Sequence, residues 1–311
     1  MHLIDRRHPL SAVLPLLCVP LLVGCAAEPA GWWKVGGPLY NVSGMAYVNE
    51  HAERGGERFF VVHDNKNPDE PHVGVVTLRR GKARYTRLRW PAVGAGGEGA
   101  GASSPPVDLE AVTSIPDAPH RFLAMESGGR LFHLRHASGT ALEVLHVSRL
   151  PQVPPGSNLE GFSVEKIDGR LVALWAHRGE GEQPAVLYWG SYDLPGDAIT
   201  MQGSAEVVVP YPRGATTRHI TDLRLDPGGT VWAGAASDPG DDGPFRSAVY
   251  AIGTLFDYGG GTYRFHPNPN PTRLWTFDRK VEAIELLPGA GGHVYFGSDD
   301  EKQGGWIYRG N

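Results

Sequence analysis

An acidic residue flanked by apolar ones recurs along this chain, each time where a new apolar run begins. The clearest copies are Asp108-Leu109-Glu110-Ala111-Val112, Asn158-Leu159-Glu160-Gly161-Phe162 and Lys280-Val281-Glu282-Ala283-Ile284. Ile220-Thr221-Asp222-Leu223-Arg224 is a looser copy, and Asn41-Val42-Ser43-Gly44-Met45 carries serine in the acidic slot. Aligned on that slot, the copies stand at positions 43, 110, 160, 222 and 282. A period of this size requires a repeat architecture, in which each unit buries its apolar face only against its neighbours.

Between the slots lie apolar segments of strand length, separated by Gly, Pro, Asp or Asn. The first unit reads as strands at Met45–Val48, Arg58–His63, Val73–Arg79 and Arg84–Trp90. The second gives Glu110–Ile115, Arg121–Glu126, Arg130–His136 and Ala141–Leu150, and the third gives Gly161–Ile167, Arg170–Ala176, Ala185–Tyr192 and Glu206–Pro210. The fourth gives Asp222–Leu225, Thr230–Ala235, Ser247–Thr254 and Arg273–Phe277. Four strands per unit is the blade of a β-propeller. The fifth unit supplies only Glu282–Leu287, His293–Gly297 and Gly305–Arg309, and the apolar Gly31–Val35 is the natural fourth strand. The expectation is an all-β, five-bladed propeller closed by strands from both ends of the chain, which leaves no free sheet edge. A six-bladed ring is the alternative. Gly94–Pro106, Ser237–Phe245 and Asp257–Thr272 read as surface insertions.

Residues 1–24 read as a lipoprotein signal peptide: Arg6 and Arg7, a proline-interrupted apolar run from Leu10 to Val23, then Leu22-Val23-Gly24-Cys25. Cys25 would carry lipid, and residues 25–311 would form one propeller domain on the periplasmic face of the outer membrane or at the cell surface. That lipid is the expected membrane contact. The other cysteine, Cys18, falls within the leader, so the domain carries no disulfide and no cysteine nucleophile. With a net charge of −5 and no basic block, nucleic acid is not an expected partner. A monomer is expected, with a small-molecule or protein ligand at the axis.

In a propeller, the loop entering the innermost strand and the loop leaving the second strand open on one face. The first set is the acidic slots Glu110, Glu160, Asp222 and Glu282, with Asp108 and Asn158 beside them. The second set is His63-Asp64-Asn65, Glu126-Ser127, His177-Arg178, Ser237-Asp238 and Ser298-Asp299-Asp300. Both sets point to one axial funnel. Carboxylates crowded there repel, and burial raises their pKa values unless a cation intervenes. A Ca²⁺ ion held by Glu110, Glu160, Asp222 and Glu282 would resolve the conflict. So would pairing with Arg178, Arg224, Lys280 or backbone N–H groups, and direct acid–base catalysis is a third reading. His63 and His177, at equivalent strand ends, are candidates for a general base or ligand.

The repeated Leu-Glu-Gly/Ala opening, in Asp108-Leu109-Glu110, Asn158-Leu159-Glu160-Gly161-Phe162 and Val281-Glu282-Ala283 with the closing Ser298-Asp299-Asp300-Glu301, resembles the bacterial phytase-like propellers (esterase-like activity of phytase) and related secreted calcium-binding propellers. The resemblance implies a propeller, export, bound calcium and hydrolysis of phosphoester or ester bonds. Ser43 and Thr221-Asp222 depart from its Leu-Glu pattern. Gluconolactonase-like propellers are the second resemblance, without a matching ligand pattern. A non-catalytic binding or scaffolding propeller is the competing function.

Overall fold

The computed structural model describes residues 31–48, 56–91, 104–288 and 292–310. Cys25, the leader and most of the Gly94–Pro106 insertion lie outside these. The chain starts with β1 (Trp32–Lys34) and a 3₁₀ turn at Pro38–Tyr40. Blade 1 follows as β2 (Gly44–Tyr47), β3 (Glu57–Val62), β4 (Val73–Arg79) and β5 (Lys82–Arg87). Blade 2 is β6 (Leu109–Ser114), β7 (Arg121–Glu126), β8 (Arg130–Arg135) and β9 (Glu143–Arg149). Blade 3 is β10 (Leu159–Ile167), β11 (Arg170–His177), β12 (Ala185–Asp193) and β13 (Ala198–Val207). Blade 4 is β14 (Thr217–Leu225), β15 (Thr230–Ser237), β16 (Arg246–Asp257) and β17 (Tyr263–Phe277). Blade 5 is β18 (Val281–Leu286), β19 (Val294–Asp299) and β20 (Gly305–Arg309), completed by β1. Each blade is one antiparallel four-stranded sheet, so the ring has five blades and not six.

Closure is by the expected strand. β1 pairs with β20 in the register Trp32↔Tyr308, Trp33↔Ile307 and Lys34↔Trp306. Arg279 clamps the seam, its guanidinium 4.1 Å from the Trp306 ring centroid and 5.1 Å from that of Trp32. Asp300 accepts a hydrogen bond from the same guanidinium.

The inner strands read as unbroken apolar runs because both faces of each blade are buried. In β3, Phe59 and Val61 pack with Tyr295 and Ile307 of blade 5, while Phe60 and Val62 pack with Phe122 and Phe132 of blade 2. In β7, Phe122 and Ala124 join blade 1, and Leu123 and Met125 join Phe162 and Trp175 of blade 3. The period of two persists, but it sorts apolar residues between two cores instead of between core and water. One apolar cluster therefore fills each of the five seams.

One expected outer strand is misplaced, and one expected insertion is strand. The fourth strand of blade 3 is Ala198–Val207, not Glu206–Pro210, because an outermost strand buries one side only and its polar alternation resembles a loop. Likewise Asp257–Thr272 is not a plain insertion: β16 and β17 continue outward as a hairpin, pairing Gly253↔Pro267 through Asp257↔Tyr263. Its tip docks on blade 3, where Trp189 Nε1 donates to Tyr263 O at 3.0 Å and Gln202 Nε2 to Gly261 O at 2.8 Å.

The blades meet at the axis through their first strands, with β2, β6, β10, β14 and β18 each lying against the next around the ring. One side chain touches all five. Arg224 of β14 donates to Phe162 O (3.2 Å), Val112 O (3.0 Å), its neighbour Leu223 O (2.7 Å) and Met45 O. Its Nε donates to Glu285 of β18 at 3.0 Å. The four carbonyls belong to equivalent residues of four blades. In blades 2, 3 and 5 the equivalent of Arg224 is a smaller polar group that bridges to the next blade, where blade 1 has the apolar Ala46: Thr113 Oγ1 accepts Val164 N–H (3.4 Å), Ser163 Oγ accepts Leu225 N–H (3.1 Å) and Glu285 accepts Tyr47 N–H (2.9 Å).

Arg224→Leu removes the fork while leaving Asp222 and Glu285 buried without their cation. Breaking a buried pair this way costs about 3–5 kcal/mol, which for a domain of this size lowers Tm by about 10 °C. Thermal unfolding followed by circular dichroism checks this. A fall under about 3 °C would show that the carbonyl ring holds without its donor.

Candidate functional site

The first strands of blades 2, 3 and 5 carry a β-bulge at the acidic slot. The ladder slips between Leu109 and Ala111, between Leu159 and Phe162, and between Val281 and Ala283. Each bulge contains the glutamate, so Glu110, Glu160 and Glu282 leave the regular alternation and turn to the axis. In blade 3 the turn needs Gly161, whose φ is +76° and whose absent Cβ would lie 2.7 Å from Leu223 N of blade 4.

Blade 4 breaks the pattern. Its bulge, between Arg218 and Asp222, holds one residue more than the others. That puts Thr221 in the slot and Asp222 one place beyond it. Thr221 Oγ1 donates to Val281 O at 2.8 Å. Asp222 is fully buried, accepts Ile284 N–H at 2.6 Å and lies 3.4 Å from Arg224. Asp222 is therefore not a funnel ligand; it belongs to the axial core.

Arg218, at the entry to the same bulge, supplies the opposite charge. Its Nη1 lies 3.3 Å from Glu160 and 3.0 Å from Glu282, and its Nη2 bonds Asp238. Glu160 also takes Arg178 at 3.1 Å. Lys280 is 1% exposed and sits among Glu282 (3.3 Å), Asp299 (3.6 Å), Asp238 (3.8 Å) and Glu301. Burial alone would pull the Lys280 pKa down, but these carboxylates hold it above the usual range. The slots of blades 3 and 5 thus meet over basic side chains, the pairing alternative raised from the sequence. Arg218 was missed because it lies three residues ahead of its slot, outside the repeated motif.

Around blades 1 to 3 the compensation stops. Glu110 has no hydrogen-bond or ion-pair partner among the described residues, and the charges that raise its pKa are those of Glu160, Asp108, Asp64 and Glu282. Glu160 is 2% exposed, and its second oxygen is buried without a donor. The buried Ser43 Oγ, at the first-blade slot, and Asn158 Oδ1 are also without partners. Asp108 holds Ser127 Oγ at 2.5 Å and lies 3.3 Å from Lys66. Among the described residues no three or more carboxylate, histidine or cysteine side chains are gathered as a metal-holding group. Among the described residues the buried oxygens here without partners are Glu160 Oε2, Ser43 Oγ and the amide oxygens of Asn41 and Asn158, beside the partly exposed carboxylate of Glu110.

Several expected funnel residues serve the fold instead. Glu126 takes Arg130 through both oxygens (2.9 and 2.5 Å) and accepts Val107 N–H, pinning the loop before β6. Asp300 binds Arg279, Ser298 Oγ and Lys280 N–H. His63 is fully buried between Asn41 O and Tyr85 OH, and burial lowers its pKa to about 4, so it stays neutral and away from funnel solvent. His177 is partly exposed, and its Nδ1 lies 3.1 Å from the backbone nitrogen of Asn158.

Burial raises the pKa of Glu110 well above the carboxylate range, with Glu160 adding to it. Burial and Asp299 bring Asp64 to about 7, and burial brings Asp222 to about 7 against the pull of Arg224. A carboxyl whose pKa is higher folded than unfolded binds its proton more tightly in the native state. Its contribution is complete below the unfolded pKa and is lost as pH rises through the folded value. In chelator-treated protein, Tm should therefore fall from about pH 4, near the unfolded carboxyl pKa, and level off above about pH 7.5, past the folded values of about 7 for Asp64 and Asp222. Glu110→Gln should flatten the fall, with a Tm about 4 °C above wild type at pH 8.5 and little difference at pH 5. Parallel pH profiles for the two proteins would contradict an unpaired Glu110.

No family model matches the chain, and no curated protein matches it in sequence. Among solved structures it is similar to the GH43 endo-arabinanase from Bacillus licheniformis, at 10% identity over 89% of this chain and 96% of that one, TM-score 0.48. An exo-1,5-α-L-arabinanase from a bovine ruminal metagenomic library aligns at 12% identity over 87% and 92%, TM-score 0.48. The α-L-arabinofuranosidase PaAbf62A from Podospora anserina aligns at 12% over 90% and 97%, TM-score 0.44. Likeness at this level carries no activity across, and no phytase-like family is shown. The propeller rests on the five sheets themselves.

Proposed function

We propose that the axial funnel is a cation-dependent ligand site and that Ca²⁺ is taken on the side of blades 1 to 3. The observation that carries this reading is the pair Glu110 and Glu160: like charges that act on one another, with Glu160 Oε2 buried without a donor and Glu110 without an ion-pair partner among the described residues. Ser43 Oγ and Asn158 Oδ1 are hard oxygen donors of the same kind, and Ca²⁺ accepts such mixed sets. Arg218 and Lys280 take up the charge on the other side, so the site is smaller than a ring of four carboxylates. Glu282 and Asp222 are not in it.

A bound divalent ion would supply polarisation of a phosphoester or ester oxygen, the activity that the phytase-like resemblance implies. The chain's own residues have separate tasks in that reading. Arg178 and Arg218 orient Glu160 and offer positive charge to an anionic substrate group. Glu110, protonated when no cation is near, is placed to give or take a proton. Binding without turnover is the second reading, supported by the location of His63 in the core and the backbone contact of His177.

Calcium at 100 times its Kd stabilises by about 2.7 kcal/mol, so Tm should rise by about 5–10 °C over the chelated protein. Glu110→Gln and Glu160→Gln should each blunt that rise, whereas the exposed Glu143→Gln should not. A Tm indifferent to both calcium and chelator would end the metal reading, and calcium binding without phosphoester or ester turnover would favour the non-catalytic one.

We also propose that Cys25 anchors the domain to a membrane by lipid. Among the described residues no helix is long and apolar enough to cross one. Cys25→Ser should move the protein from the membrane to the soluble fraction on cell fractionation; retention of the variant in the membrane would refute the lipid anchor.

A further inference from the structure

At the opposite end of the axis, beneath Arg224, lies a pocket of about 340 Å³. That is within the range of small-molecule sites. Its walls are largely apolar: Ile115, Pro116, Val164, Leu225, Pro227 and Leu286. Ile115, Val164 and Leu225 are each 3% exposed, and the prolines fix the backbone around them, so the walls are preformed. On the β6–β7 side the loop holds two non-glycine residues in the left-handed region, Asp117 at φ +59° and His120 at φ +64°.

The polar groups within are unequally matched. Arg224 and Glu285 form the inner end but are spent on one another, on Tyr47 N–H and on the axial carbonyls. Glu165 of β10 is half-buried in the wall, and its one hydrogen bond is from Lys166 N–H at 2.7 Å. No cation among the described residues pairs with it. The ammonium of the adjacent Lys166 is taken by Asp117. Burial raises the pKa of Glu165 against the Lys166 N–H hydrogen bond, and the acidic Glu285, Asp226 and Asp117 add to the rise. Arg121 and His120 stand in the outer wall.

We propose that this pocket binds a small organic cation, an amine carried on an apolar body, with the ammonium against Glu165 and the body between Ile115, Leu225 and Leu286. A half-buried carboxylate facing acidic neighbours lacks a counter-charge, and the apolar walls favour a ligand that brings one on a hydrophobic frame. An inorganic ion would leave those walls wet, and an anion would meet Glu165. This site shares no residue with the funnel, so it stands or falls independently of the calcium reading.

Phenethylamine is the probe, with 2-phenylethanol and phenylacetate as its neutral and anionic counterparts, each titrated by isothermal calorimetry or ligand-observed NMR against the intact protein. Phenethylamine should bind at least tenfold more tightly than either counterpart. Glu165→Gln should weaken it at least tenfold while keeping the wild-type Tm, and Glu143→Gln should leave it unchanged. Ser114→Trp, which fills the pocket without altering its charge, should abolish binding. Equal affinity for the amine and the alcohol, preference for phenylacetate, or a Glu165→Gln variant that binds as the wild type does would each overturn the proposal.

Discussion

The contacts of Arg224 set the geometry at the axis on which the rest of the ring depends. A propeller leaves the first strands of its blades with carbonyls that face the axis and have no lateral ladder of their own. Such buried acceptors are costly unless a donor reaches them. A guanidinium has five N–H groups in a planar fork, and Arg224 spends them on Met45, Val112, Phe162 and Leu223 and on the Glu285 carboxylate. All five blades are thereby fixed at one radius. The charge has its own compensation, since Asp222 and Glu285 flank a single cation. Burial raises the pKa of both carboxyls, as expected where two acids share one counter-charge.

With the axis fixed, the bulges above it determine what the funnel presents. Glu160 and Glu282, two blades apart, reach the same Arg218 nitrogen, and Lys280 lies among Glu282 and three more carboxylates, those of Asp238, Asp299 and Glu301. The charge network is therefore lopsided. Blades 4 and 5 are neutralised from within the chain, and blades 1 to 3 hold the unpaired Glu110 and the orphaned oxygens of Glu160, Ser43 and Asn158. Rotational repetition of sequence does not give rotational repetition of chemistry here. One additional residue in the blade 4 bulge exchanges an acid for Thr221 and brings an arginine over the axis.

The architecture was legible because a propeller repeats its requirements. The first strands of blades 2, 3 and 5 carry a bulge at the same place, so the Leu-Glu pattern marks those blades, and the strand count at the two ends already required β1 to complete blade 5. Outer strands were less legible. β13 and the distal half of β17 bury one side only, and the Asn-Pro-Asn-Pro stretch reads as loop although it lies in a strand. Within the site, Glu110, Glu160 and Glu282 were readable from the motif, whereas Asp222 was assigned one residue out of register. A bulge with an added residue moves the slot without altering the apolar pattern on either side. Arg218 and Arg224 could not be ranked from the chain alone, because an arginine in an apolar run gives no sign of whose carbonyls it will meet. His63 looked like a funnel residue for the opposite reason: strand-end polarity is shared by side chains that face solvent and by those that turn inward to cap Asn41 O.

The two ends of the axis are separated by this same hub. Arg224 and Glu285 form the inner end of the lower pocket, while the guanidinium lies among the carbonyls that the bulges of the upper funnel rise from. A donor with so many partners at once is held rigidly, since moving it toward one mouth breaks bonds to several blades together. The hub therefore blocks passage through the centre. Any influence of one mouth on the other has to travel along the first strands, as a shift in how the blades are spaced. The fold thus gives two chemically distinct ends of one axis, one acidic and one largely apolar, and a single arginine keeps them apart.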